Sequence, residues 1–172
     1  MSDLPIFKFA VREDLKDTGD LFIPTKGEPL ATGWDVKAAM PDRKPLILVP
    51  FQHVKIPLGF RTFAPEGWWY ELKPRSSTFA KKNLHALYGT IDETYSNELI
   101  FACQYIPNWN EISPMHPELT INFGDAVGQI IPVKRQEMTT KSISNDDFDK
   151  LCKDRNAVRN GGFGSTDPSK VK

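Results

Sequence analysis

Five short stretches of the chain combine residue types that act on phosphate, on water or on a flat ring. Gly89-Thr90-Ile91-Asp92-Glu93-Thr94-Tyr95 sets a carboxylate and an aromatic ring three positions apart in a turn. The apolar run 99–102 follows, so the stretch reads as the tip of a β-hairpin that starts and ends in the core. Such a tip can hold Asp92 and Tyr95 against a small flat ligand. Pro74-Arg75-Ser76-Ser77 offers a guanidinium fork for phosphate oxygens with two hydroxyls beside it. A helical turn from Thr78 would aim free N–H groups at the same anion. Ala31-Thr32-Gly33-Trp34-Asp35 pairs small residues, which permit close approach, with a carboxylate suited to a water or to a metal's hydration shell. Gly124-Asp125-Ala126-Val127-Gly128-Gln129 leads from a turn into a strand whose Gln129 amide can donate to phosphate or orient a water. Arg159-Asn160-Gly161-Gly162-Phe163-Gly164-Ser165-Thr166 reads as a flexible lid. Its glycines let backbone amides wrap phosphate, and Phe163 can stack on a base.

The elements that must position these residues are short. Alternation places strands at 6–11, 31–38, 46–49, 51–56, 60–63, 68–72, 119–123 and 126–133, besides the hairpin and its return to 106. One helical turn is expected over 78–84 and one short helix over 146–153, where Phe148 and Leu151 stand at i and i+3. Residues 12–30 and 107–118 read as loops. Many short strands with turn chemistry between them argue for an all-β barrel or jelly roll.

Composition agrees. The chain of 172 residues suggests one domain, expected over 1–154, with the glycine-rich arm at 155–172. Fourteen prolines and eleven glycines mark frequent turns and disfavour long helices. Twenty-two basic and 22 acidic residues balance, so a nucleic-acid surface is not indicated, although a local phosphate site is compatible. No apolar run reaches membrane-spanning length, and no basic region followed by an apolar one opens the chain. Cys103 and Cys152 have neither metal-like spacing nor a disulfide framework, which fits a reduced cytoplasm, a host's if the source is viral.

The order of the five stretches resembles the trimeric dUTPase family (deoxyuridine triphosphate nucleotidohydrolases). Ala-x-Gly-x-Asp matches 31–35, Pro-Arg-Ser 74–76, Gly-x-Ile-Asp-x-x-Tyr 89–95, Gly-Asp-x-x-x-Gln 124–129, and Gly-Gly-Phe-Gly-Ser-Thr 161–166. The resemblance implies a jelly-roll-like β-barrel with one short helix and a flexible C-terminal arm, assembled as a homotrimer with shared active sites. It implies Mg²⁺-dependent hydrolysis of dUTP to dUMP and pyrophosphate, which limits uracil in DNA and supplies dUMP. By matched position, Asp92 would deprotonate the attacking water and Tyr95 would pack on the deoxyribose. Arg75, Ser76, Ser77 and Gln129 would contact phosphates, and Gly89 and Ile91 would line the nucleotide. Asp35 would act on the metal through water, the triphosphate holding most of the Mg²⁺. Phe163 would stack on the base, while Arg159, Gly164, Ser165 and Thr166 would close on the phosphates.

Some positions depart from the family pattern. Asn97 stands where Gly is usual, and its tolerance of left-handed backbone would preserve the turn. Ala126 replaces a common Arg. Only Asn160 separates Arg159 from the glycine pair, which makes Arg155 a second candidate for the phosphate contact. His85-Ala86-Leu87-Tyr88 lacks the Asn that some members carry before the hairpin motif, so the base pocket is open to dCTP or a modified pyrimidine. A non-catalytic nucleotide-binding regulator is the other alternative. The related dCTP deaminases share Arg-Ser-Ser, but their catalytic Glu falls at Ala102 here, which disfavours deamination.

Overall fold

The computed structural model describes residues 4–108 and 118–157. The architecture is all-β and jelly-roll-like. Eleven strands are described: β1 (Lys8–Val11), β2 (Trp34–Lys37), β3 (Leu46–Leu48), β4 (His53–Pro57), β5 (Phe60–Phe63) and β6 (Trp68–Pro74), then β7 (Leu84–Ala86), β8 (Gly89–Ile91), β9 (Ile100–Tyr105), β10 (Leu119–Ile121) and β11 (Ala126–Lys134). They pair antiparallel in four sheets, ordered β2-β11-β6-β8, β4-β9-β7, β1-β5 and β10-β3. The chain divides into two compact units, Met1–Arg135 and Gln136–Lys172.

The strand period of two sorts residues between core and surface. On β6, Tyr70 and Leu72 point inward and are buried, while Glu71 and Lys73 share the outer face in a 2.6 Å ion pair. Phe101, Cys103 and Tyr105 of β9 and Val127 and Ile130 of β11 fill the same core with Val36, Leu48, Ile56 and Phe60. Burial raises the Cys103 thiol to about 11. A smaller cluster, Leu15, Phe22 and Ala39, includes a residue of the 3-10 helix Glu13–Thr18, a segment expected to be loop.

Two α-helices are described, one near the expected helical turn and one at the expected short helix. α1 (Ser76–Ala80) begins two residues earlier than expected and stops well before Leu84. Thr78 fixes it by donating from Oγ1 to the Val127 carbonyl at 2.7 Å. Asn83, at φ 50°, then turns the chain into β7. α2 (Asn145–Asp154) is capped by Ser144, whose hydroxyl accepts from the Asp147 N–H at 3.1 Å. Among the described residues, no helix is long and apolar enough to cross a membrane.

The expected hairpin is a hairpin only at its base. β7 pairs with β9, and the last bond runs from the Leu87 N–H to the Ala102 carbonyl at 2.9 Å. The chain then leaves that sheet, and β8 joins the edge of β6, with Leu72 opposite Gly89 and Tyr70 opposite Ile91. The result is a fork between residues 88–91 and β9, not a two-stranded tip.

Candidate active site in two halves

The first half is assembled by strand register. Gln129 on β11 stands opposite Asp35 on β2 and opposite Lys73 on β6. A bulge between Ala126 and Gly128 sets this register, burying Val127 and Gly128 and leaving Gln129 on the outer face with Asp35. Gly128 must be small, since a Cβ there would come within 2.9 Å of the Phe101 ring. Gln129 donates from Nε2 to the Pro74 carbonyl at 3.2 Å. Its side chain lies over Gly33, where a Cβ would sit 2.2 Å from Oε1. Arg75 follows β6 directly, and its Nε lies 3.1 Å from Asp35 Oδ1. Ser76 and Ser77 open α1 beside it, Ser76 exposed and Ser77 half-buried. Three of the matched stretches therefore meet within one chain as a guanidinium, a carboxylate, an amide and two hydroxyls. Asp125 has a structural part: it accepts from Lys82 Nζ at 3.0 Å and from the Asn122 N–H at 3.1 Å, which braces the turn before β11.

The second half is the loop between β8 and β9. Asp92 is exposed, with no side-chain hydrogen bond or ion pair to another described residue. Its carbonyl accepts from the Tyr95 N–H at 3.0 Å, and the Tyr95 hydroxyl donates to the Glu98 carbonyl at 3.1 Å. Tyr95 lines a cleft of about 320 Å³ with Phe9, Arg61 and Phe63. Asn97 does not take a left-handed conformation, so its tolerance of one is not drawn on.

That loop is held instead at two glutamates whose partners lie far off in sequence. Glu98 Oε1 accepts from Arg12 Nη1 at 2.7 Å and from the Gly59 N–H at 2.8 Å. Glu93 Oε2 accepts from Arg135 Nη1 at 2.6 Å and from the Gly67 N–H at 3.0 Å. The hydrogen bond that the Arg12 guanidinium donates to Asp14 raises the pKa of Arg12 above its ordinary value. Neither glutamate was singled out in the sequence. The only local signal was that Glu93 lies inside the Asp92 stretch and Glu98 three residues beyond it.

Within one chain the halves do not converge. Along β6, Gln129 is in register with Lys73, whereas the position after Ile91 falls in register with Trp69. Four residue steps separate them, roughly 13 Å along the strand, with two strand spacings, about 10 Å, across it. Arg159, Phe163, Gly164, Ser165 and Thr166 lie outside the described residues, as does most of the 107–118 excursion.

No family model matches the chain. It is 34% identical over 123 residues to the deoxyuridine 5'-triphosphate nucleotidohydrolase of Aquifex aeolicus, covering 69% of this chain and 75% of that protein. It is 29% identical over 149 residues to the enzyme of the same name from Caulobacter vibrioides, covering 86% of each. Among solved structures, the dUTPase of Streptococcus mutans superposes with a TM-score of 0.63 at 20% identity, covering 77% of this chain and 98% of that one. The dUTPase from phage phi11 of S. aureus gives 0.65 at 19% identity, covering 81% and 97%. At those identities the structures speak for the fold, and the Aquifex relative speaks for the family. On that evidence the chain belongs to the deoxyuridine 5'-triphosphate nucleotidohydrolase family.

Proposed function

We propose that this protein is a dUTP diphosphatase, cleaving dUTP to dUMP and pyrophosphate at sites shared between subunits of a homotrimer. The observation that carries the reading is the division of the site. A phosphate-binding half and an exposed carboxylate–tyrosine half stand at opposite ends of β6, and each holds the groups the other lacks. A second copy of the chain that brings its Asp92 loop to the Arg75 cluster completes the set. The C-terminal arm of a subunit, from residue 155, with Phe163 on the base and Arg159, Gly164, Ser165 and Thr166 on the phosphates, is assigned the closing role.

In this mechanism Arg75 presents its fork to phosphate oxygens, and Ser76, Ser77 and Gln129 supply neutral donors around it. Asp92 accepts a proton from the water as the water's oxygen bonds to the α-phosphorus. The bond from that phosphorus to the bridging oxygen breaks, and pyrophosphate leaves with the electron pair. Tyr95 packs on the deoxyribose, where a 2′-hydroxyl would clash. The fork after Leu87 suits base recognition. Ladder alternation turns the N–H and C=O of Ile100 to the same side as the Ala102 carbonyl, towards the gap beside Gly89 and Ile91. An adjacent donor and acceptor there can match the N3–H and O4 edge of uracil.

No cluster of three or more His, Cys, Asp or Glu side chains suited to a metal occurs among the described residues. Asp35, a single carboxylate beside the phosphate half, fits Mg²⁺ held mainly by a triphosphate and its waters. When bound, Mg²⁺ neutralises phosphate charge. A dUTPase from phage phi11 coordinates a structural Mg(II) ion.

The test is incubation with Mg²⁺ and each of dUTP, dCTP, dTTP and UTP, with products identified. Selective formation of dUMP and pyrophosphate is expected. Preferential cleavage of dCTP would move the assignment to another base, ammonia release would make the protein a deaminase, and no turnover would leave a nucleotide-binding regulator.

A further inference from the structure

The two glutamate contacts at the Asp92 loop are the same device used twice. In each, an arginine main-chain N–H donates to the carbonyl of a turn glycine: Arg12 to Gly59 at 2.8 Å, and Arg135 to Gly67 at 2.7 Å. In each, that glycine's N–H and that arginine's guanidinium converge on one glutamate oxygen. Both glycines take left-handed conformations, φ 78° at Gly59 and 76° at Gly67, which aim their N–H groups out of the turns. The turns stand at the two ends of β5. The loop from Asp92 to Asn97 is thus strung between two clamps built on one strand, with the glutamates as its tethers.

Little else secures it. Thr94, Tyr95, Ser96 and Asn97 are exposed, and β8 is only three residues long. A carboxylate that takes a proton from water must stand within hydrogen-bond reach of it, and a displacement of about 1 Å costs roughly 100-fold in rate.

We propose that Glu93 and Glu98 are positioning residues, setting the place of Asp92 and Tyr95 without touching substrate. The inference rests on the assignment of Asp92 as proton acceptor. Because the phosphate contacts stand on the other half-site and only the Tyr95 packing on the deoxyribose depends on this loop, loosening a clamp acts chiefly on kcat and little on KM. Glu98→Leu, which removes both bonds, is expected to lower kcat for dUTP about 100-fold with KM within about three-fold. Glu98→Gln keeps an oxygen that can accept the same two N–H groups, and is expected to return kcat to within about five-fold of the unaltered protein. Glu93→Leu and Glu93→Gln should repeat the pattern.

Wild-type kcat in the Leu variants, or equal losses in Leu and Gln, overturns the proposal. Where Glu98→Leu does not fold, Arg12→Gln removes one of the two donors to Glu98, and an unchanged kcat there overturns it equally. Amide hydrogen exchange gives a readout independent of turnover. Exchange over 92–97 should quicken by about ten-fold in Glu98→Leu while β6 keeps its protection. Unchanged loop exchange defeats the clamp. Failure of the unaltered protein to cleave dUTP defeats only the substrate assignment.

Discussion

Asp35, Arg75 and Gln129 stand on adjoining strands and the turn after one of them, whereas Asp92 and Tyr95 stand on an exposed loop held at its ends. The first group owes its geometry to ladder register, a bulge, and glycines that leave no room for a side chain. The second owes its geometry to Glu93 and Glu98, each reaching an arginine and a glycine distant in sequence. Under the proposed function, the difference follows from what each half would handle. Phosphate oxygens need several donors at fixed spacings, which a sheet supplies. A group that meets substrate from another subunit must project from its own fold, and projection removes it from the sheet's support.

The comparison breaks most sharply at Asp92. Asp92→Asn removes the proposed proton acceptor and leaves the proposed phosphate half intact, so turnover of dUTP should fall by about 10²–10⁴-fold with nucleotide affinity retained. Near-normal turnover would show that the loop does not supply the base. Arg75→Ala should be similarly poor in turnover through loss of phosphate binding, and co-expression of the two variants tests whether the halves come from different chains. Random assembly into trimers would pair an intact loop with an intact cluster at about a quarter of sites. Recovery to about a quarter of normal activity is expected, and none is expected if each chain builds its own site.

Smaller effects sharpen the view of the register-built half. Gly33→Ala would place a methyl against the Gln129 amide and turn it away from the outer face. A rise in KM of about ten-fold, with kcat within about three-fold, is expected for the loss of one hydrogen bond to a charged phosphate. Thr78→Val removes the buried bond that ties α1 to β11. Leaving the Val127 carbonyl without that donor should cost about 1–3 kcal/mol in urea denaturation, with the smallest effect on kinetics.

Much of the phosphate half was legible in the chain because its parts are local. Pro74-Arg75-Ser76-Ser77 carries its donors in consecutive residues, and alternation in 68–72 and 126–133 located the strands that became β6 and β11. The convergence of Asp35, Arg75 and Gln129 was reached through resemblance, since register depends on a bulge that alternation does not reveal. The hairpin was misread at its tip. Apolar residues on both sides of Asp92 indicate a return to the core, but they do not say which sheet each leg joins, and β8 joins β6. Asn97 was credited only with tolerance of left-handed backbone, a conformation it does not take.

Residue chemistry and spacing by themselves determined the all-β class and the candidates Asp92, Tyr95, Arg75, Gln129 and Asp35, because side-chain chemistry and period-two burial are written locally. Only the tertiary structure decided that these candidates form two separated halves and that β8 deserts its hairpin partner. It alone brought Glu98 to Arg12, 86 positions away. Contacts of that kind arise when distant turns are packed at the ends of one strand, and no local pattern encodes which turns those will be.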